Sequence, residues 1–141
     1  FCEILDSRTN RGSYTMVTVK TTLGFSVIHG IGLMADQDIK EGTVIWEFTP
    51  GLDIKIDKDE LETNLTGIQL EFFLKYAYLN VKESKYVLCC DDARFFNHSE
   101  NPNVIEVIES EEGIDIASRD IKFGEELTVD YRGYDGVERG F

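Results

Sequence analysis

From Arg94 to Asn103 the chain reads Arg-Phe-Phe-Asn-His-Ser-Glu-Asn-Pro-Asn. An aromatic pair anchors a loop crowded with donors and acceptors, and Pro102 stiffens its exit. The Asn97-His98 pair offers side-chain and backbone groups to a planar heteroaromatic ligand. A second stretch, Gly124-Glu125-Glu126-Leu127-Thr128-Val129-Asp130-Tyr131, ends on a tyrosine. Strand alternation aligns Tyr131 with Leu127 and Val129, toward the interior or a pocket. A third, His29-Gly30-Ile31-Gly32-Leu33-Met34-Ala35, contains a Gly-x-Gly that on its own marks only a turn. His98 with Asp91 or Asp92 would suit a hydrolase, but no nucleophile at a strained turn accompanies them.

Short strand-like runs separated by turn signals must position these groups. Strands are expected at Thr15–Lys20, Phe25–Ile28, Leu33–Ala35, Thr43–Phe48, Tyr86–Cys90 and Leu127–Tyr131. Val104–Ile108 and Ile114–Ala117 read as a hairpin around Glu109–Gly113. Leu23–Gly24 and Asp36–Gly42 read as turns, and the charged segment from Gly51 to Thr63 as a surface loop. One stretch breaks the β rhythm. Leu65, Ile68, Phe72, Tyr76 and Leu79 fall at spacings of 3, 4, 4 and 3, one face of a helix. That stripe, widened by Phe73 and Ala77, is expected to pack into the core. The pattern is mainly β with a helical insertion.

The chain has 141 residues, with 14 Lys+Arg against 27 Asp+Glu and a net charge of -13. The length suits one domain with a core of its own. Apolar runs fall far short of the roughly 20 residues of a membrane span. So acidic a chain is poorly suited to gripping nucleic-acid phosphates and better suited to attracting a basic partner. Cys2, Cys89 and Cys90 form no C-x-x-C pair, which points to reduced thiols, an intracellular address and no metal site.

The three motifs, in this order, resemble the SET-domain family of protein lysine methyltransferases, over roughly Thr15 to Tyr134. Asn-His-Ser-x-x-Pro-Asn and Gly-Glu-Glu-Leu-Thr-x-Asp-Tyr are the specific elements. The resemblance implies a β-clip fold of several small sheets with one longer helix and a knot-like C-terminal crossing. It implies S-adenosylmethionine as cofactor, held by His29, Gly30, Ile31, Gly32, Asn97, His98 and Tyr131. Glycines there would let the backbone approach a ligand closely. Tyr131 matches the catalytic tyrosine. Phe48, Phe where Tyr is common, together with Val129 and Tyr134 would line the substrate channel. The reaction implied is in-line attack of a lysine amine on the sulfonium methyl, in which positioning supplies much of the rate.

Domain organisation is expected as a loose N-terminal arm or cloning remnant over 1–14, a SET domain over 15–134, and a C-terminal tail over 135–141. Many histone-directed members carry Cys where this chain has Glu100, paired with a zinc-binding cysteine cluster after the domain. Arg132–Phe141 holds no Cys, which suggests the minimal form known from bacteria and viruses. The expected partner is a basic protein substrate, a histone or another Lys-rich segment, with no direct nucleic acid and no membrane. The competing expectation is a non-catalytic SET-fold interaction domain that binds a basic protein.

Overall fold

Two short strands built around a serine turn begin the sheet system. The computed structural model describes residues 16–107 and 113–132. Strand β2 (Thr21–Phe25) pairs antiparallel with β3 (Ile31–Ala35), Phe25 opposite Ile31. The turn lies between them, at 26–30. Ser26 Oγ accepts from the backbone N–H groups of Ile28 (2.9 Å) and His29 (3.1 Å), and Ser26 N donates to Gly30 O at 2.9 Å. A serine that satisfies two turn amides fixes the reversal there. Leu23–Gly24, expected as a turn, therefore lies inside β2, and Phe25–Ile28, expected as a strand, forms the reversal. Val27 and Ile28 are β-branched but stand in solvent.

The largest sheet has the order β1-β4-β10-β9, all antiparallel. Its strands are β1 (Met16–Val17), β4 (Val44–Glu47), β10 (Ile114–Ala117) and β9 (Val104–Glu106). The expected hairpin pairs as β9–β10; most of its turn lies outside the described residues. A second sheet has the order β5-β7-β6, from Ile54–Asp57, Lys85–Leu88 and Tyr78–Asn80. Finally β8 (Asn97–His98) runs parallel to β11 (Thr128–Val129). Residues just before β11 also bond to β3: Ala35 N donates to Glu125 O (2.8 Å) and Leu127 N to Leu33 O (2.7 Å). The C-terminal segment is thus stitched to both β3 and β8. The architecture is mainly β in several small sheets, as expected.

The helical region differs from the sequence pattern. Two helices replace one: α1 (Lys58–Asn64) and α2 (Ile68–Tyr76). The first falls in the charged segment expected to be loop. Its polar residues face solvent and only Leu61 is buried, so it carries no amphipathic signal. Gly67, at φ 57, starts α2 in a conformation that favours glycine and cuts Leu65 off from the helix. The face that packs is then a different one. Ile68 and Phe72 are 81% and 67% exposed, while Leu70, Phe73 and Leu74 pack on a cluster of Leu61, Ala77 and Tyr86. The 3-4-4-3 stripe is not the core face. Leu79, its last member, lies in β6.

The main core gathers Leu33, Ile45, Ile121 and Leu127, all fully buried, with Trp46, Val104 and Val129. It lies beneath β3, β4 and β11 and sets their spacing. Among the described residues no helix is long and apolar enough to cross a membrane. The arm at 1–14 and the tail at 135–141 lie outside the described residues.

The reassigned helix face has a direct test. Phe73→Ala should destabilise the domain by about 2–4 kcal/mol in denaturant unfolding, a little under the ~3–5 kcal/mol of a fully buried aromatic because Phe73 is half-buried. Phe72→Ala should stay within about 0.5 kcal/mol, as for an exposed side chain.

Candidate active site

The parallel β8–β11 pair brings the two polar motifs together, and Asn97 ties the third to them. Asn97 is 7% exposed. Its Nδ2 donates to the carbonyls of His29 (3.0 Å) and Ile31 (3.2 Å) and to Glu126 Oε1 (2.8 Å). Ser26 Oγ reaches the same carboxylate at 2.8 and 2.9 Å. Gly32 lies against this group: a Cβ there would sit 2.2 Å from Glu126 Oε1 and 3.2 Å from Asn97 Nδ2. The requirement for glycine at 32 therefore comes from the protein's own carboxylate. Asn103 repeats the device. Its Nδ2 donates to Glu126 O at 2.8 Å and its Oδ1 accepts from Thr128 N at 2.9 Å.

His98 and Tyr131 form the next layer. Tyr131 N donates to His98 Nδ1 at 3.1 Å, and the two rings lie 5.5 Å apart. Asp130 Oδ1 stands 3.6 Å from the same nitrogen. The two contacts require opposite states of Nδ1. The amide bond is shorter and the carboxylate lies beyond hydrogen-bond range, so Nδ1 is the acceptor and the proton sits on Nε2. Asp130 belongs to Arg132, whose Nη2 lies 3.0 Å away and whose hydrogen bonds hold its carboxyl below the usual carboxylate range. The Tyr131 hydroxyl donates to Phe96 O. Its proton is thereby committed, and it offers a ligand only its oxygen lone pairs.

Tyr131 and Phe96 both line a cavity of about 70 Å³. Trp46, Tyr78, Phe96, Val129 and Tyr131 give it an aromatic and aliphatic wall, and Cys89 and Asp115 complete the interior. Burial pushes the Tyr78 hydroxyl and the Cys89 thiol well up, with nearby carboxylates adding to it, so both stay protonated at neutral pH. Trp46 Nε1 is buried without an acceptor among the described residues. Lys75, Tyr76 and Arg94 complete the lining, with the Arg94 guanidinium 5.5 Å from the Tyr76 ring centre.

Of the expected residues, Asn97 bonds the carbonyls of His29 and Ile31, Gly30 is tied to Ser26 and Gly32 lies against Glu126, while His98 and Tyr131 bond each other beside the β8–β11 pair. Val129 lines the cavity. Phe48 does not; it packs edge-on to Trp46, 6.4 Å between ring centres, with the Lys55 ammonium over its face. Tyr134 lies outside the described residues. The pairing of His98 with Asp91 is not made. Asp91 Oδ2 accepts from Val17 N (2.8 Å) and Oδ1 from Ala93 N (3.0 Å), a purely structural tie. Sequence reasoning missed Ser26, Glu126, Trp46, Tyr78 and Asp115. Glu126 was within a quoted motif, and Trp46 is the chain's single tryptophan; the other three carry no local signal. Among the described residues no group of three or more His, Cys, Asp and Glu could hold a metal ion.

Small sheets closed by a parallel C-terminal strand, with an Asn-His pair and a tyrosine at the closure, define a recognisable class of fold. The family model of the SET domain matches residues 30–132, and the chain belongs to the SET-domain family. The chain is 29% identical over 134 residues to a histone-lysine N-methyltransferase, H3 lysine-36 specific, of Debaryomyces hansenii. It is 36% identical over 118 residues to the histone-lysine N-methyltransferase trr of Drosophila melanogaster. These matches cover 89% and 78% of the chain but only 17% and 5% of the relatives. A similar solved structure is a humanized mutant of the Chaetomium thermophilum Polycomb Repressive Complex 2 bound to the inhibitor GSK126. There the TM-score is 0.62 at 26% identity, over 95% of this chain and 18% of that one. Another is ctPRC2 in an autoinhibited conformation bound to S-adenosylmethionine, TM-score 0.59 at 26% identity, over 88% of this chain and 16% of that one.

Asn97 is the joint most easily tested. Asn97→Ala leaves a carboxylate and two carbonyls short of a donor, so the melting transition should fall by the equivalent of at least ~2 kcal/mol. The β2–β3 turn should exchange its amide hydrogens faster, which mass spectrometry of deuterium uptake would read.

Proposed function

We propose that this domain is a protein-lysine N-methyltransferase that uses S-adenosylmethionine and acts on a Lys-rich basic protein segment. The observation that carries this reading is the placement of Tyr131. Its hydroxyl is oriented by Phe96 O at the wall of an aromatic cavity, and its backbone is bonded to His98 beside the Asn97 network. The names of the relatives support the same reaction class.

The site suits such a cofactor on its chemistry. The turn at 28–30 is exposed, and a Cβ at Gly30 would meet nothing within 4 Å. Backbone groups of this turn and the half-buried His98 ring form one surface for a nucleoside-type ligand, with Gly32 and Asn97 holding its shape. Aromatic faces beside Tyr131 favour a cationic centre. Bound there, the cofactor would supply an electrophilic methyl on a sulfonium.

The chain's own residues would handle the amine. A lysine near pKa 10.4 costs about 4–5 kcal/mol to deprotonate at pH 7, at about 1.4 kcal/mol per unit. Burial between Trp46, Tyr78 and Phe96 removes water from the ammonium and lowers that cost, while the Asp115 carboxyl in the same lining favours the charged form and gives part of that gain back. Tyr131 Oη, its proton held by Phe96 O, accepts from an amine N–H and so turns the nitrogen lone pair away from itself. Orientation of this kind contributes without any proton transfer to tyrosine. The surplus of 13 negative charges acts earlier, by drawing in a basic segment.

Incubation with methyl-labelled S-adenosylmethionine and a mixture of basic proteins should label lysine, and Tyr131→Phe should lose at least about 100-fold of the rate, the scale of a well-placed orienting group. Cofactor binding without transfer would favour the non-catalytic interaction domain instead, and absence of cofactor binding would defeat both. If the acidic surface captures substrate, raising ionic strength from about 0.01 to 1 M, which shortens the screening length from about 30 to 3 Å, should raise KM and leave kcat nearly unchanged. A KM insensitive to salt would assign the charge to solubility alone.

A further inference from the structure

One acidic residue, Asp115, lines the cavity among its aromatic and aliphatic residues. Asp115 is 5% exposed and, among the described residues, is the only acid in the lining. It lies directly opposite Trp46 in the β10–β4 register, so the two side chains share a face of the sheet. Its charge is felt by Tyr78 and Cys89, the other ionisable groups of the interior, and both of these stay protonated at neutral pH. The cations of the lining sit elsewhere. Lys75 and Arg94 are exposed and lie over the Tyr76 ring, at 5.4 and 5.5 Å. The cavity is therefore polarised, with positive charge at its exposed side and an acid within.

We propose that Asp115 selects the amine: it receives N–H donors from a primary alkylammonium head group, so that binding weakens as methyl groups replace those donors. The proposal takes lysine as its substrate class from the methyltransferase reading, but its test needs no transfer. The physical basis is hydrogen-bond capacity. An ammonium carries three donors and a trimethylammonium none. An aromatic cage alone would hold both, because its attraction is to the charge. A buried acid adds direction, since a charge pair out of water is stable only when hydrogen bonds complete it. A carboxylate has about four acceptor sites, so protein partners of Asp115 leave room for a ligand donor. The strand puts this acid at a position where an aliphatic residue would make a purely cation–π site. The cavity is thus suited to bind the unmethylated head group best and the product less well at each step.

Trp46 is the chain's only tryptophan and part of the same wall, so its fluorescence reports occupancy. The full chain would be titrated with n-butylammonium, n-butyltrimethylammonium and 1-pentanol, a neutral analogue of similar length. The expected result is butylammonium bound on the order of tenfold more tightly than either of the others, the scale for one desolvated charge-assisted contact. Asp115→Asn should erase that preference and Asp115→Glu should keep part of it, with thermal melts confirming that both fold. Should Asp115→Asn not fold, the order of the three probes on the unmodified chain decides. Equal or tighter binding of butyltrimethylammonium overturns the proposal, as does a preference that survives Asp115→Asn or a failure to bind butylammonium at all. A preference for butylammonium in a chain that transfers no methyl group would defeat the methyltransferase reading and leave the role of Asp115 standing. Methyl transfer by a chain without the preference would do the reverse.

Discussion

The site depends on one buried polar joint, the Asn97 amide held between two backbone carbonyls of the β2–β3 turn and the Glu126 carboxylate. These groups lie 29 to 68 residues apart in sequence. No apolar contact specifies position as sharply, because a hydrogen bond fails within about half an ångström or a few tens of degrees. The joint also explains its neighbours. Ser26 supplies a further donor to Glu126 while closing the turn, and Gly32 must lack a side chain because the carboxylate occupies that space. Without its donors Glu126 would be a carboxylate against backbone carbonyls, an arrangement that costs more than the bonds return.

Asn103 applies the same logic one turn of the path later, holding both the carbonyl of Glu126 and the amide of Thr128. Between the two asparagines the chain passes through His98, and opposite them runs the strand that ends at Tyr131. The register of β8 on β11 is only two residue pairs long. Two ladder pairs would slip easily by themselves. Side-chain bonds from Asn97 and Asn103 to fixed backbone positions remove that freedom, and the Tyr131 amide on His98 adds a third point. The tyrosine is aimed by this lattice, with its hydroxyl finished by Phe96 O. Precision at the closure thus comes from polar side chains, while Leu33, Ile45 and Leu127 supply the burial that holds the sheets together.

The sequence made the two polar motifs legible because their residue types are unusual together and their spacing is short. The small-sheet, mainly β architecture was legible from short runs of β-branched residues between turns. What escaped has a common cause. The hairpin reversal was placed at least three residues too early because Val27 and Ile28 look like strand, whereas a single serine hydroxyl decides where the chain turns. The helix face was misread because periodicity counted through Gly67, where the backbone breaks the helix. The helix α1 was hidden by its charge. Trp46, Tyr78 and Asp115 come from three separate strands; β4 pairs with β10, β6 belongs to the other sheet, and only tertiary packing puts the three in one wall.

The acidic character of the chain divides into two parts that physics treats differently. Most of the charge is on the surface, where water and salt reduce each contribution to a small fraction of its value in an apolar interior. It acts on encounter, over distances comparable to the screening length. Asp115 is out of reach of both, and so is felt only by what enters the cavity. A surface that attracts lysine-rich segments does not discriminate among the methylation states of one lysine, because all of them are cations and differ only at the last few atoms. Discrimination must be made where those atoms are desolvated, by a group that counts N–H bonds rather than charge. Among the described residues the only acid lining that cavity is Asp115, a strand residue opposite a tryptophan, set there by the register of β10 on β4.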